Sequence, residues 1–244
     1  MISKSKIKLI KSLKYKKTRE ELNLFMVEGL KGILEVKNSN FQTDFTVVSQ
    51  KIYTKYKNLL EDKNVYILEE KKINELSSLK NNLVGFSVVK MVSRDISLID
   101  LGKITLALDS LSDPGNLGSI IRNADWFGIK NIICSNNSVD FYNSKAIQSS
   151  MGSFTRVNVY YTDLENYFKK NNLKVVGTSS NKKNNFKKNN SFNGILLFGN
   201  ESQGISENLS VYVDEWISIK KIGNAESLNA SVATGIILNQ ITAD

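Results

Sequence analysis

The chain has 244 residues, a net charge of +9, a 41% hydrophobic share, one cysteine and no histidine. The missing histidine excludes Ser-His-Asp and Cys-His catalysis, and with Cys134 alone it also excludes ordinary structural zinc sites and any internal disulfide. No apolar run approaches the roughly 20 residues of a membrane helix, the Lys-rich start lacks a signal-peptide core, and the excess positive charge favours a polyanion, so the chain reads as a cytosolic protein with a nucleic-acid partner.

Residues 3–14 place Ile7, Ile10 and Leu13 at helical spacing with lysines between them. Through Arg19 the stretch carries Lys4, Lys6, Lys8, Lys11, Lys14, Lys16 and Lys17. It is either a solvated helix and turn or a phosphate-contacting arm, and the local charge density favours the arm. Strands are expected at 24–27, 45–48, 65–68 and 84–92, alternating with helices over 29–36, 51–60 and 71–79. That alternation with short connections describes a small α/β domain over residues 1–95. It holds no catalytic constellation, and Glu28 reads as a structural or surface carboxylate.

Residues 96–103 read as a linker to a second domain, 104–244. Ile104-Thr-Leu-Ala-Leu108 opens it as a strand. Asp109-Ser-Leu-Ser-Asp-Pro-Gly115 is a turn with the only proline, and Asn116 is the expected cap of a helix whose apolar face is Ile120, Ile121, Ala124 and Phe127. Arg122 lies on that helix. Strands follow at 131–134, 156–161 and 174–177, with helices ending near Gly152 and spanning 164–170. Cys134 sits in a strand and reads as a packing residue. The loop 181–190 is polar and basic around Phe186, a solvated connector or, alternatively, a base-stacking platform.

Gly194-Ile-Leu-Leu-Phe198 reads as a buried strand leading into Gly199-Asn-Glu-Ser-Gln-Gly204, whose glycines permit tight turning. A short strand, a loop turning at Gly223 and a final helix complete the chain. Ser227 is the expected cap of that helix, with Leu228, Val232 and Ile236 on its inner face. Two strand-to-loop junctions of this kind put two loops side by side at the carboxyl edge of a parallel sheet, where α/β folds bind ligands.

Three stretches, in order and spaced accordingly, carry a family resemblance. Asp109 through Gly128 resembles the first motif of the SpoU (TrmH-type) RNA 2′-O-ribose methyltransferases, Gly199–Gly204 the second, and Ile219 through Ser231, with Glu226-Ser-Leu-Asn229, the third. The Lys-rich opening followed by Leu24-Phe-Met-Val-Glu-Gly29 is similar to the substrate-binding domain that precedes the catalytic domain in many members. The resemblance implies a SPOUT-type α/β fold, a parallel sheet whose C-terminal segment forms a deep trefoil knot. It also implies a homodimer with its site at the dimer interface, S-adenosylmethionine as cofactor, and structured RNA as partner, ribosomal RNA ahead of tRNA, without metal or membrane.

Carried over by motif position, the cofactor-binding residues are Gly199, Ile219 and Leu228, with Thr178 at a preceding strand end. Arg122 and Asn116 take the family's arginine and asparagine positions, and Glu201, Ser227 and Asn229 its polar positions around the reacting ribose. Lys220-Lys221 departs from the Pro-Met of many members. It is the best support for the alternative, a catalytically silent RNA-binding or ribosome-assembly factor that keeps the fold. A nucleotide-binding oxidoreductase is disfavoured, because no Gly-x-Gly-x-x-Gly follows the first strand of either half.

Overall fold

The structure, a computed structural model, describes residues 2–60, 64–180, 182, 184, 186 and 192–242. It divides into two compact units, Met1–Ser93 with Tyr142–Thr155, and Arg94–Phe141 with Arg156–Asp244.

The first unit opens with α1 (Lys4–Ser12) and α2 (Lys16–Leu22). It continues through β1 (Leu24–Glu28), α3 (Gly29–Lys37), β2 (Thr43–Ser49), α4 (Gln50–Lys55), β3 (Val65–Leu68), α5 (Glu70–Leu76) and β4 (Gly85–Lys90). Its sheet runs β1-β4-β2-β3; β4 is antiparallel to both β1 and β2, and only β2 and β3 are parallel. The alternation of β2 builds two cores. Phe45 and Val47 pack with Ile10, Leu13, Ile73 and Phe86 on one face. Val48 packs with Ile33 and Leu60 on the other. Full burial of each such side chain is worth about 1.5–3 kcal/mol.

Glu28 is buried as a structural carboxylate. It accepts from the Ser77 hydroxyl and, at 3.1 Å, from the Ser78 N–H. Arg19 departs from the expected phosphate arm: it is 5% exposed and its Nη1 donates to the carbonyls of Leu13 and Lys14 at 2.9 and 3.0 Å. A guanidinium committed to two backbone acceptors is not available to RNA.

The second unit contains β5 (Thr105–Leu108), α6 (Pro114–Trp126), β6 (Asn131–Ser135), β7 (Asn158–Thr162), α8 (Leu164–Asn171), β8 (Val175–Thr178), β9 (Ile195–Phe198), α9 (Glu207–Ser210), β10 (Glu215–Ile217) and α10 (Ala230–Thr242). The helix α7 (Ser144–Ser149) belongs to the first unit. All six strands are parallel, in the order β10-β8-β9-β5-β6-β7. Chain direction across the sheet therefore reverses between β5 and β9. Among residues 96–103, Ile99 is buried with Ala107, Ile133 and Leu197, so this stretch contributes to the core as well as connecting.

Two helix starts differ from expectation. Asp113, not Asn116, caps α6: its carboxylate accepts from the Asn116 N–H at 2.8 Å, and Pro114 takes the first helical position. Proline there loses no bond, because that N–H has no partner within a helix. Asn229, not Ser227, caps α10, its Oδ1 accepting from the N–H groups of Ser231 and Val232 at 2.9 and 3.4 Å. The inner face of α10 is also different. Thr234, Ile237, Leu238 and Ile241 are buried, while Leu228, Val232 and Ile236 are 49, 50 and 37% exposed.

Candidate functional site

Parallel pairing brings the carboxyl ends of β5, β9, β8 and β10 to one edge of the second sheet. Three loops leave that edge: 109–113 after β5, 199–204 after β9 and 218–229 after β10. The first two flank the point where strand order reverses, which is where open α/β sheets form their ligand crevice.

The loop after β9 is a closed ring. Asn200 and Gly204 exchange backbone hydrogen bonds, both 2.9 Å, and Gly204 has φ +73°. At Gly199 an added Cβ would lie 2.0 Å from the Gly204 carbonyl carbon and 2.1 Å from the Ile205 nitrogen. Only glycine lets the ring shut this tightly on the strand end. Asn200 then ties the ring across to the first loop, its Nδ2 donating to the Ser110 carbonyl at 2.8 Å. The buried Asp109 carboxylate holds the chain beyond the ring by accepting from the Ser206 N–H at 2.9 Å.

Glu201, at the rim of the ring, docks on the start of α6. Its Oε2 accepts from the Ser112 hydroxyl at 3.0 Å and the Ser112 N–H at 3.4 Å. Its Oε1 accepts from Asn116 Nδ2 at 3.0 Å and the Asp113 N–H at 3.4 Å. A carboxylate beside a helix N-terminus is favoured by the exposed N–H groups and the helix dipole. Partial burial pushes the Glu201 carboxyl up, but the donors from Asn116, its own N–H and Ser112 outweigh it and hold the group below the usual carboxylate range. Glu201 is thus an ionised acceptor near neutral pH.

The network reaches the third loop as well. Asn229 Nδ2 donates to Asn116 Oδ1 at 2.8 Å. Asn123 Nδ2, one helical stretch further along α6, donates to the Ser231 carbonyl at 2.7 Å, and Gly235 lets α10 approach Asn123 closely. Glu201, Asn116 and Asn229 therefore form one continuous chain of hydrogen bonds joining the three sequence motifs.

The remaining expected residues are placed less closely. Thr178 ends β8 opposite Ile217 of β10, and Ile219 is half-buried two residues on. Ser227 and Leu228 lie exposed on the third loop, as do Lys220, Lys221 and Ile222, the last 90% exposed. Arg122 is exposed on α6, and the network just described does not include it. Six residues along a helix place it about 9 Å beyond Asn116 and on a different face.

Ser112, Asp113, Asn200 and Asp109 complete the site and were not singled out from sequence. The Asp113-Pro114 pair was the available signal, since an N-cap acid followed by proline marks a helix start. Phe186 contacts the buried Phe192 edge-on at 5.6 Å and donates its N–H to Trp216, which supports a packing role. The flanking Lys183, Lys187 and Lys188 lie outside the described residues. Burial pushes the Cys134 thiol far up, which keeps it protonated and unreactive. Among the described residues no group of three or more Cys, Asp or Glu side chains is arranged to hold a metal ion. Among them, too, no helix is long and apolar enough to cross a membrane.

Comparison with known proteins agrees with this geometry. The model of the SpoU rRNA Methylase family matches residues 103–239, and that of the MRM3-like substrate binding domain matches residues 4–82. The chain is 28% identical over 241 residues to the 23S rRNA (guanosine(2553)-2′-O)-methyltransferase RlmP of Bacillus subtilis, covering 96% of this chain and 94% of that protein. An AdoMet-bound rRNA methyltransferase from Sinorhizobium meliloti superposes with a TM-score of 0.86 at 26% identity, covering 99% of this chain and 96% of that one. The SpoU methyltransferase AviRb from Streptomyces viridochromogenes shares the fold, with a TM-score of 0.86 at 21% identity over 98% of this chain and 97% of that one. With more than half of its length matched by the family model and all three motifs joined in one site, the chain belongs to the SpoU rRNA methylase family.

Proposed function

We propose that this protein transfers a methyl group from S-adenosylmethionine to a ribose 2′-hydroxyl of ribosomal RNA. The observation that carries the reading is the Glu201–Asn116–Asn229 network at the switch point of the parallel sheet. The relative from Bacillus subtilis, matched along nearly its whole length, supports ribosomal RNA over tRNA.

The residues at the sheet edge fit the cofactor. Ile219, Ile222 and Leu228 offer apolar surface on a loop with accessible backbone, which suits a purine ring and its polar edge. Gly199 and Thr178 border the same edge. Lys220 and Lys221 are exposed and, unlike proline, each keeps both a backbone N–H and a carbonyl. Bound S-adenosylmethionine supplies an already activated methyl group, so the protein need not create an electrophile.

What the chain must do is hold the ribose and handle its hydroxyl proton. Alignment alone can supply roughly 7–11 kcal/mol in ideal cases. Asn116, Ser227 and Asn229 fix the nucleotide, and ionised Glu201 keeps Asn116 oriented. Arg122 acts on the 2′-hydroxyl. A guanidinium gives up a proton reluctantly, so its main effect is to ease proton loss by close charge and hydrogen bonding, with a second grip on the adjacent phosphate. Its distance from Asn116 along α6 supports a site completed by a second copy, so the protein acts as a homodimer. The return of α10 onto α6 after the third loop is consistent with a trefoil knot around the cofactor. Residues 1–95, joined in the fold by 142–155, serve as the RNA-binding domain and the rest of 104–244 as the catalytic domain, in the cytoplasm.

The test is to map 2′-O-methyl sites in total RNA with and without the gene. Loss of one ribosomal site, restored by the wild-type gene, is the expected result. An unchanged map, together with no methyl transfer by the purified protein to unmodified ribosomal RNA, would leave the silent assembly factor as the reading.

A further inference from the structure

The turn between α1 and α2 has an unusual build. Tyr15 is 70% exposed, and it stands in the run Lys14-Tyr15-Lys16-Lys17, whose three lysines are exposed as well. The backbone beneath it is fixed. The buried Arg19 donates to the carbonyls of Leu13 and Lys14, the two residues before Tyr15, and its own N–H returns to the Tyr15 carbonyl at 3.1 Å. Burying a guanidinium is costly unless it is well bonded. A simple connection between two helices needs no such device.

The charges also work against local stability. Lys16 and Lys17 are the first two residues of α2, whose first turn contains no acid, so two cations face the positive end of the helix. Their i,i+4 partners Glu20 and Glu21 are 3.6 and 3.9 Å away and exposed, which makes these pairs weak and open to exchange. Broken local rules are expected at functional sites, and here they accompany an exposed aromatic ring on a bonded backbone. The ligand chemistry follows from the parts: a flat π-face to stack on and cations to contact phosphates. A recess lined in part by Lys14, Ser78 and Asn143 opens beside the turn and adds polar partners.

We propose that Tyr15 is a stacking platform for an unpaired nucleobase of the RNA, with Lys14, Lys16 and Lys17 on the flanking phosphates and Arg19 as the positioning residue that sets the ring. This rests on the reading of the protein as an RNA enzyme, and it adds that the first unit selects single-stranded over duplex RNA. Stacking needs splayed bases, and a paired helix does not offer them.

The experiment measures binding of the full-length protein to a short single-stranded oligoadenylate and to a blunt RNA duplex of equal length, without cofactor. Tyr15→Ala should weaken single-strand binding about tenfold and duplex binding less than twofold, with Tyr15→Phe and Tyr15→Trp close to wild type. Lys14→Gln should weaken both and lower the salt slope by about one. The ring is at the surface, so the melting temperature of Tyr15→Ala should be unchanged. Single-strand binding by Tyr15→Ala at wild-type strength, or an equal loss on both RNAs, would overturn the proposal. Because binding is read without methyl transfer, an inactive protein that still shows this pattern would count against the catalytic reading alone.

Discussion

Glu201 is the residue on which the site's order depends. Its carboxylate gathers Ser112, Asp113 and Asn116, and through Asn116 it sets Asn229. Glu201→Gln should place amide hydrogens against N–H donors and cost about 1 kcal/mol after allowing for solvent exposure. The folded carboxyl is held below its usual range, so its stabilisation is fully present above the unfolded value of about 4.3 and is lost as pH falls through the folded value. Urea melts should therefore show a gap between wild type and variant that is constant around neutral pH and closes only as pH falls below the usual carboxylate range. Arg122 makes a separate prediction. Arg122→Ala should abolish methyl transfer, a loss of at least about 10²-fold, while calorimetry finds cofactor binding within a few-fold of wild type. Near-normal turnover would remove Arg122 from the mechanism. Both residues were visible in the sequence through their motif positions. The two capping assignments were not, because neighbouring polar residues competed for one role: Asp113 won over Asn116, and Asn229 over Ser227. In each case the winner is the residue just outside the first helical turn. For Asn116 the outcome frees a carboxamide to bond both Glu201 and Asn229.

At the level of elements, apolar runs announced the strands well, since a fully buried parallel strand is apolar on both faces. Thr105–Leu108 and Ile195–Phe198 are buried throughout. The inner face of the final helix is not legible in the sequence for a related reason. α10 has apolar residues on two sides, so its periodicity cannot say whether Val232 and Ile236 or Ile237 and Ile241 face inward. Packing on α6 decided it. The ring after β9 is the element whose geometry is least tolerant. Gly199→Ala puts a methyl group 2.0 Å from backbone that has no room to move. Overpacking of this kind typically costs about 1–3 kcal/mol. The expected result is a lower melting temperature together with loss of cofactor binding, whereas Gly223→Ala, where nothing lies within 4 Å of the added methyl, should retain both. Equal behaviour of the two variants would show that the ring is not a constraint.

For the whole molecule, the unexpected face of α10 bears on assembly. Trp126 on α6 is 85% exposed, and Val232 and Ile236 on α10 are 50 and 37% exposed, a set of large apolar groups that a monomer would leave in water. The homodimer proposed above would cover such groups. On that proposal, Val232→Glu with Ile236→Glu should shift sedimentation from dimer to monomer and abolish methyl transfer, while the buried Thr234, Ile237 and Leu238 keep the helix docked. A wild-type protein that sediments as a monomer would end this assignment. Neither the pairing nor the path of the third loop could be read from apolar periodicity, which reports burial but not what does the burying.

The chain enters the second unit at Arg94, leaves it after Phe141, and returns at Arg156. In the interval it hands Tyr142 and Phe154 to the first unit, where both rings meet Phe25 at 4.6 and 6.2 Å, and the Tyr142 hydroxyl bonds Val92 at both its N–H and carbonyl. The first unit is consequently not a detachable bead. A fragment stopping near residue 95 would bare Phe25 and lose the clasp on Val92, and a protease nicking the same place would leave two pieces still stitched together. Swapping such a module between enzymes would require moving two separate stretches of gene at once.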